Sequence, residues 1–274
     1  MNPAVEKMFA SATSLPQIPK VVQEVIDHLK DEDVDFSRLA DKVRQDQVIS
    51  AKVLRLANSS YYGASGKVAT IEDAITLIGL KAFQTLIIAS GVVAAFPKIP
   101  AFDLSAFWKH SLLVANIARA LARHRKLDSE LAFTGAMMSG IGILLTYLSF
   151  PDGAMRVTES CKGTSVGERK AIERQILQFD HCEVGAELSR RWHFPVEIQD
   201  IIANYCTLEK GSAMARLVYA SVVIAQGLEV GDGSEKLFSG IDSNLASELS
   251  LDLEWFESRT EVFALLLAES ASLI

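Results

Sequence analysis

Cysteine is scarce in this chain of 274 residues, and the three present, Cys161, Cys182 and Cys206, are odd in number and scattered, with no CxxC pair. That excludes a disulfide framework and reads as reduced thiols of a cytosolic protein, half-buried among packing residues. Positive charge is also short: 27 Lys and Arg face 34 Asp and Glu, for a formal net charge of −7. An acidic surface disfavours nucleic acid, whose binding rests on neutralising phosphates. The one basic run, Arg119, Arg123, His124, Arg125 and Lys126, reads as the solvated face and last turn of a helix. The most apolar run, 82–96, is interrupted by Gln84 and Thr85. It falls short of the ~20 residues that span a bilayer and reads as a buried helix. The N-terminus has no basic flank leading into an apolar core, so no signal peptide is expected. The expectation is a soluble cytoplasmic protein with neither membrane nor nucleic acid as partner. No glycine-rich phosphate loop, G-x-G-x-x-G or G-x-S-x-G occurs. Gly163 and Gly167 flank a helix start, alone a weak anion-site signal.

What is present is helical periodicity. About half of the residues are hydrophobic, enough for one large domain or two small ones. Val22, Val25, Ile26 and Leu29 form a stripe after Pro19. Asp35 or Ser37 is placed to cap a helix through Leu39, Ala40 and Val43, and Asp46 one through Val53, Leu54 and Ala57. Residues 58–63 read as a loop. Thr70 with Asp73 predicts a capping box opening a helix over 71–80, and Gly79 a turn into the apolar helix that stops before Pro97. Asp103 should cap a long helix to about Arg125. A central helix is predicted from Asp128 to about Ser149, ended by Pro151-Asp152-Gly153. Ser165 with Glu168 and Asp180 with Glu183 mark two more helix starts. Pro195 suits the start of a helix over 196–206. Residues 231–234 read as a loop and 260–273 as a closing amphipathic helix. No strand alternation or repeat appears, so the fold class is all-α. Pro97 and Pro100 mark the best boundary, giving two packed helical parts, 1–100 and 101–274.

Two regions resemble one family, the HDOD domains (HD-related output domains). The first runs through Leu15-Pro16-Gln17-Ile18-Pro19, Asp46, Leu54-Arg55-Leu56-Ala57-Asn58-Ser59, Tyr62-Gly63, Ile71, Ala74-Ile75 and Leu77-Ile78-Gly79. The second runs through Trp108-Lys109-His110-Ser111, the segment 132–142, Asp180-His181-Cys182-Glu183-Val184-Gly185-Ala186 and Trp192-His193-Phe194-Pro195. The resemblance covers roughly residues 13 to 205. It implies a fold like the HD-type metal-dependent phosphohydrolases, usually with an incomplete catalytic set, acting as a regulatory output. Such domains often stand beside receiver or cyclic-dinucleotide signalling domains, for which the helical pattern over 1–274 leaves no room.

The departures from the HD pattern bear on chemistry. Where HD enzymes carry the adjacent His-Asp pair that holds the catalytic metal, this chain has Ser139-Gly140. Where related domains often carry paired histidines after the Trp-x-x-Pro segment, it has Asn204-Tyr205. An HD site uses histidines and aspartates to bind divalent metals that activate water and neutralise phosphate. The resemblance leaves a vestigial pocket of His110, Ser139, Gly140, His181 and Asp180, with no catalytic residue, bound metal or cofactor expected. His110 shares helical spacing with Phe107, Ser111, Val114, Ala118 and Leu121 and should point to the core; His181 should sit in the first turn of its helix behind Asp180. His28 and His124 read as solvated, and His193 as a packing residue at a helix end.

Two functions stand against each other. One is a non-catalytic signal-transduction module that binds a regulatory partner protein or a small nucleotide-like ligand, with the Tyr61-Tyr62 loop and the C-terminal helix as candidate partner surfaces, each of which reads first as plain packing. The other is a metal-dependent phosphohydrolase whose missing ligands are replaced by Asp180, Glu183 or Asp200. Oligomeric state is left open.

Overall fold

The structure is a computed structural model that describes residues 2–11, 15–29, 36–59, 68–162, 164, 166–209 and 211–273. Among these residues the chain is all-α, without a strand. Asp35, the Tyr61-Tyr62 loop, Gly163 and Ser165 lie outside them.

The first helices are α1 (Pro3–Ser11), α2 (Lys20–Asp27), α3 (Phe36–Gln45), α4 (Gln47–Ala57), α5 (Ile71–Ile78) and α6 (Leu80–Ala95). Asp46 caps α4 by accepting from the Val48 and Ile49 amides. Thr70 and Asp73 form the expected reciprocal box on α5. Gly79, at φ +79°, turns α5 directly into α6, a backbone conformation that side-chain-bearing residues rarely adopt. Helix α6 is apolar nearly all round because it lies between α2 and α4 on one side and α8 on the other.

The remaining helices are α7 (Leu104–His124), α8 (Ser129–Met138), α9 (Ile141–Ser149), α10 (Pro151–Ser160), α11 (Val166–Leu177), α12 (His181–Arg191), α13 (Val196–Asn204), α14 (Ala213–Glu229), α15 (Ser234–Ser239), α16 (Ser243–Leu249), α17 (Leu253–Glu257) and α18 (Thr260–Leu273). Asp103 caps α7, whose side chains pack along α8, α14 and α18. One contiguous core runs from Val5 to Leu266. The stretch Ser129–Ser149 is long and apolar enough to cross a membrane, but 78% of its apolar window is buried inside the fold.

Three expectations need correction. The single helix over 128–149 is two, because the chain turns at Ser139-Gly140, where the Ser139 amide and hydroxyl both donate to the Ala136 carbonyl and tighten the last turn of α8. Pro151 does more than stop a helix. It opens α10 from the first position, where its missing N–H costs nothing. Arg119 is not solvated: it is fully buried, 2.6 Å from Glu130 and stacked over the Phe133 ring, so the basic run loses its first member.

Helices α9 and α12 touch backbone to backbone. A Cβ at Gly142 would overlap the His181 carbonyl and stand 2.7 Å from the Gly185 nitrogen. No rotamer change relieves a clash with backbone. Gly142→Ala is expected to lower unfolding free energy by about 3 kcal/mol, whereas Gly233→Ala, with open space around it, should stay within about 0.5 kcal/mol. Urea melts of the two variants check this; equal small effects would contradict the crossing.

Candidate functional site

His181 is the first residue of α12. Its helix begins there because Asp180 and Glu183 form a capping box: the Asp180 carboxylate accepts from the Glu183 amide at 2.9 Å and the Glu183 carboxylate from the Asp180 amide at 3.1 Å. Asp180 is buried and also pairs with Arg174 at 2.8 Å. It therefore fixes the helix start and the position of the next residue.

The His181 ring is 2% exposed and held at both nitrogens. Nδ1 lies 2.5 Å from Glu173 Oε2, which also accepts from the His181 amide at 2.9 Å. Nε2 lies 2.6 Å from the Tyr205 hydroxyl, just past the end of α13. Glu173 is buried on α11, and its other oxygen accepts from Arg169 Nε at 2.8 Å. Burial alone would favour a neutral imidazole. The Glu173 carboxylate and the Cys206 sulfur outweigh it, and the ring pKa is pushed up to about 10. Burial likewise opposes the Glu173 charge, but His181 and Arg169 hold its carboxyl down at about 2. Burial pushes the Cys182 thiol upward.

His181 faces a cavity of about 220 Å³. His110, Ser139, Gly140, Arg169 and Tyr205 line it as well. Four of the five residues proposed for the pocket therefore share one space, while Asp180 is not part of its lining. His110 departs from the inward position expected of it. It stays about one-third exposed, with Nδ1 3.0 Å from both oxygens of Glu229 at the end of α14, and that carboxylate turns it to the rim. His28 and His124 are exposed as expected, whereas His193, expected as a packing residue at a helix end, is exposed too.

The residues present do not fit the metal pair of an HD enzyme. Ser139 turns its hydroxyl back to the Ala136 carbonyl at 2.8 Å. At Gly140 a Cβ would meet the Phe107 ring at 3.0 and 3.1 Å, so an aromatic ring stands against the position that the resemblance gives to the aspartate. No carboxylate is among the described lining residues. Of the proposed substitutes, Asp180 and Glu183 serve the cap, and Asp200 accepts from Asn204 at 2.7 Å.

Glu173, Arg169 and Glu229 were not singled out from the sequence, although Glu173 carries the most consequential contact. Helix α11 is rich in charge and reads as a surface helix. The available signal was its register, since Val166, Arg169, Glu173, Ile176 and Leu177 fall on one face. Cys182 and Cys206 are buried, not half-buried, and both sulfurs lie 3.6 Å from His181 Nε2.

Replacing Glu173 leaves the buried His181 and the half-buried Arg169 without their anion. In chelator-treated protein, Glu173→Gln is expected to cost about 3–5 kcal/mol. The Glu173 contribution is complete above its unfolded value near 4.5 and is lost as pH falls toward about 2. The His181 contribution is complete below its unfolded value near 6.5 and is lost as pH rises through about 10. The wild-type margin over the variant should thus be widest between pH 4.5 and 6.5 in urea melts taken across pH. A margin flat with pH would contradict the charged pair.

A family model for the HDOD domain matches residues 15–207. Among solved structures, a protein named "Putative phosphohydrolase" from Shewanella amazonensis SB2B is 28% identical, with a TM-score of 0.81 over 99% of this chain and 98% of its own. An HDOD domain protein with unknown function from Geobacter sulfurreducens is 24% identical, with a TM-score of 0.78 over 99% of this chain and 97% of its own, and shares the fold. A curated relative, an uncharacterized protein of Treponema pallidum (strain Nichols), is 20% identical over 213 residues, which is 77% of this chain and 41% of that relative, so this chain spans less than half its length. With most of its length matched by that one model and its fold shared with these structures, the chain belongs to the HDOD domain family.

Proposed function

We propose that this chain is a regulatory binding module of signal transduction, and that it acts without hydrolysing phosphoesters. Residues 1–100 would be the part peculiar to HDOD proteins and 101–274 the HD-like part. The observation that carries this reading is the closed metal corner: Phe107 stands against Gly140 and Ser139 is turned into its own helix. An HD-type reaction needs a carboxylate there to hold the metal that activates water. The cavity beside it keeps polar groups from Ser111, Thr164, Arg169 and Gln226. Its volume of about 220 Å³ lies below the ~300 Å³ of a typical small-molecule site. That favours a phosphate-sized group, or a partner side chain entering it, over a whole nucleotide. The protein is proposed to work in solution, since the one membrane-length apolar stretch among the described residues is core.

A second reading has support of its own. His110–Glu229 and His181–Glu173 are both histidine–carboxylate pairs facing one cavity, and a 28% identical protein carries the name "Putative phosphohydrolase". One assay separates the readings. The full chain, loaded with manganese or ferrous iron, is incubated with a bis-aryl phosphodiester, mononucleotides and cyclic dinucleotides. The regulatory reading predicts no product above the metal-only control. Turnover that is lost in His110→Ala and His181→Ala would establish the hydrolase instead.

A further inference from the structure

Three potential ligand atoms meet where α12 begins and α13 ends. His181 Nε2, Cys182 Sγ and Cys206 Sγ all lie within 4.8 Å of one another, and all three residues are buried. Each sulfur is 3.6 Å from the nitrogen. We propose that His181, Cys182 and Cys206 form a binding site for a thiophilic divalent cation such as zinc. Two of the three donors lie outside any HD-type ligand set, so this would be a new centre in the emptied scaffold. The proposal does not depend on the regulatory reading, because a cation bound here leaves the hydrolysis assay free to come out either way.

The spacing suits the metal. Zinc holds sulfur at about 2.3 Å and imidazole nitrogen at about 2.0 Å, so a tetrahedral ion separates these two ligands by about 3.5 Å. The nitrogen is also aimed. Glu173 takes His181 Nδ1 at 2.5 Å, which turns Nε2 toward the sulfurs. A carboxylate behind a metal-binding histidine fixes the ring and raises its basicity in this way. Charge is balanced as well. Two thiolates offset a divalent cation, and Arg169 offsets Glu173. His181 and Cys182 are the first two residues of α12, so one helix start presents two of the three donors. The Tyr205 hydroxyl, 2.6 Å from Nε2, holds that nitrogen by a hydrogen bond in the metal-free chain and gives way when a cation takes it. His181, Tyr205 and Cys206 line the cavity, which gives a cation its way in.

The ligand set is sulfur-rich, the kind that structural zinc sites use. Thiolates select zinc or ferrous iron over magnesium and calcium. Cys161, also on the cavity wall, is not part of the cluster and serves as the internal control.

The test uses the full chain, stripped by chelator under reducing conditions, then given zinc or cobalt and desalted. The expected result is close to one zinc per chain by mass spectrometry. Cobalt should give the near-ultraviolet thiolate-to-cobalt charge-transfer band of a tetrahedral sulfur site. Cys206→Ser and Cys182→Ser should each weaken the band and lose zinc on desalting, while Cys161→Ser keeps both. Glu173→Gln should keep the band and bind zinc about 10–100-fold more weakly, as a positioning residue would. Circular dichroism of each variant separates loss of the site from loss of the fold. Retention below about a tenth of an equivalent in the wild type would overturn the proposal. So would retention equal in wild type and both cysteine variants, or cobalt bound with no charge-transfer band.

Discussion

The buried contact between Glu173 and His181 is the constraint on which the rest of this site depends. Two charges out of water are each costly, and they persist only when geometry and further hydrogen bonds offset the loss. Here Oε2 of Glu173 takes both the ring and the amide of His181, while Oε1 takes Arg169. One carboxylate thereby fixes the end of α11 against the first residue of α12. Tyr205 then closes the other side of the ring. The glycine crossing of α9 and α12 supplies the complementary condition, bringing the turn at Ser139-Gly140 close to the same histidine. Replacing either support would move the imidazole relative to the cavity.

On the proposed reading, the region that HD-type enzymes use for metal is rebuilt locally in this chain. One position is closed by the Phe107 ring. Another is satisfied within its own helix, since Ser139 donates to Ala136. The histidine that remains is engaged at both nitrogens. The position just past α13 contributes Tyr205, whose hydroxyl serves His181. These changes are coherent, because each leaves a buried polar group partnered instead of exposing an orphan. Beside them, cysteines from α12 and from just past α13 converge on the same ring, the donor set proposed above for a soft cation.

Much of the fold was legible in the sequence for local reasons. Asp46, Thr70 with Asp73, Asp103 and Asp180 with Glu183 cap helices where their spacing places them, because capping is a matter of three or four residues. The family and the four pocket residues were legible through motifs. What was not legible depends on tertiary partners. The turn at Ser139-Gly140 lies inside an unbroken apolar pattern. Arg119 reads as a surface charge until Glu130 and Phe133 enclose it. Glu173 sits in a helix whose composition suggests solvent. Cys182 and Cys206 are distant in sequence, and only the packing of α12 on α13 joins them.

The central claim is that the space between His110 and His181 has been converted from a hard-metal hydrolytic site into a different kind of pocket. An anomalous-difference map from crystals of the full chain soaked in manganese tests it most directly. The account predicts no manganese peak between His110 and His181, with Glu173 still within hydrogen-bonding distance of His181 Nδ1 and the Phe107 ring against Gly140. A manganese ion bridging the two histidines, with Phe107 or Glu173 displaced to admit it, would contradict the account.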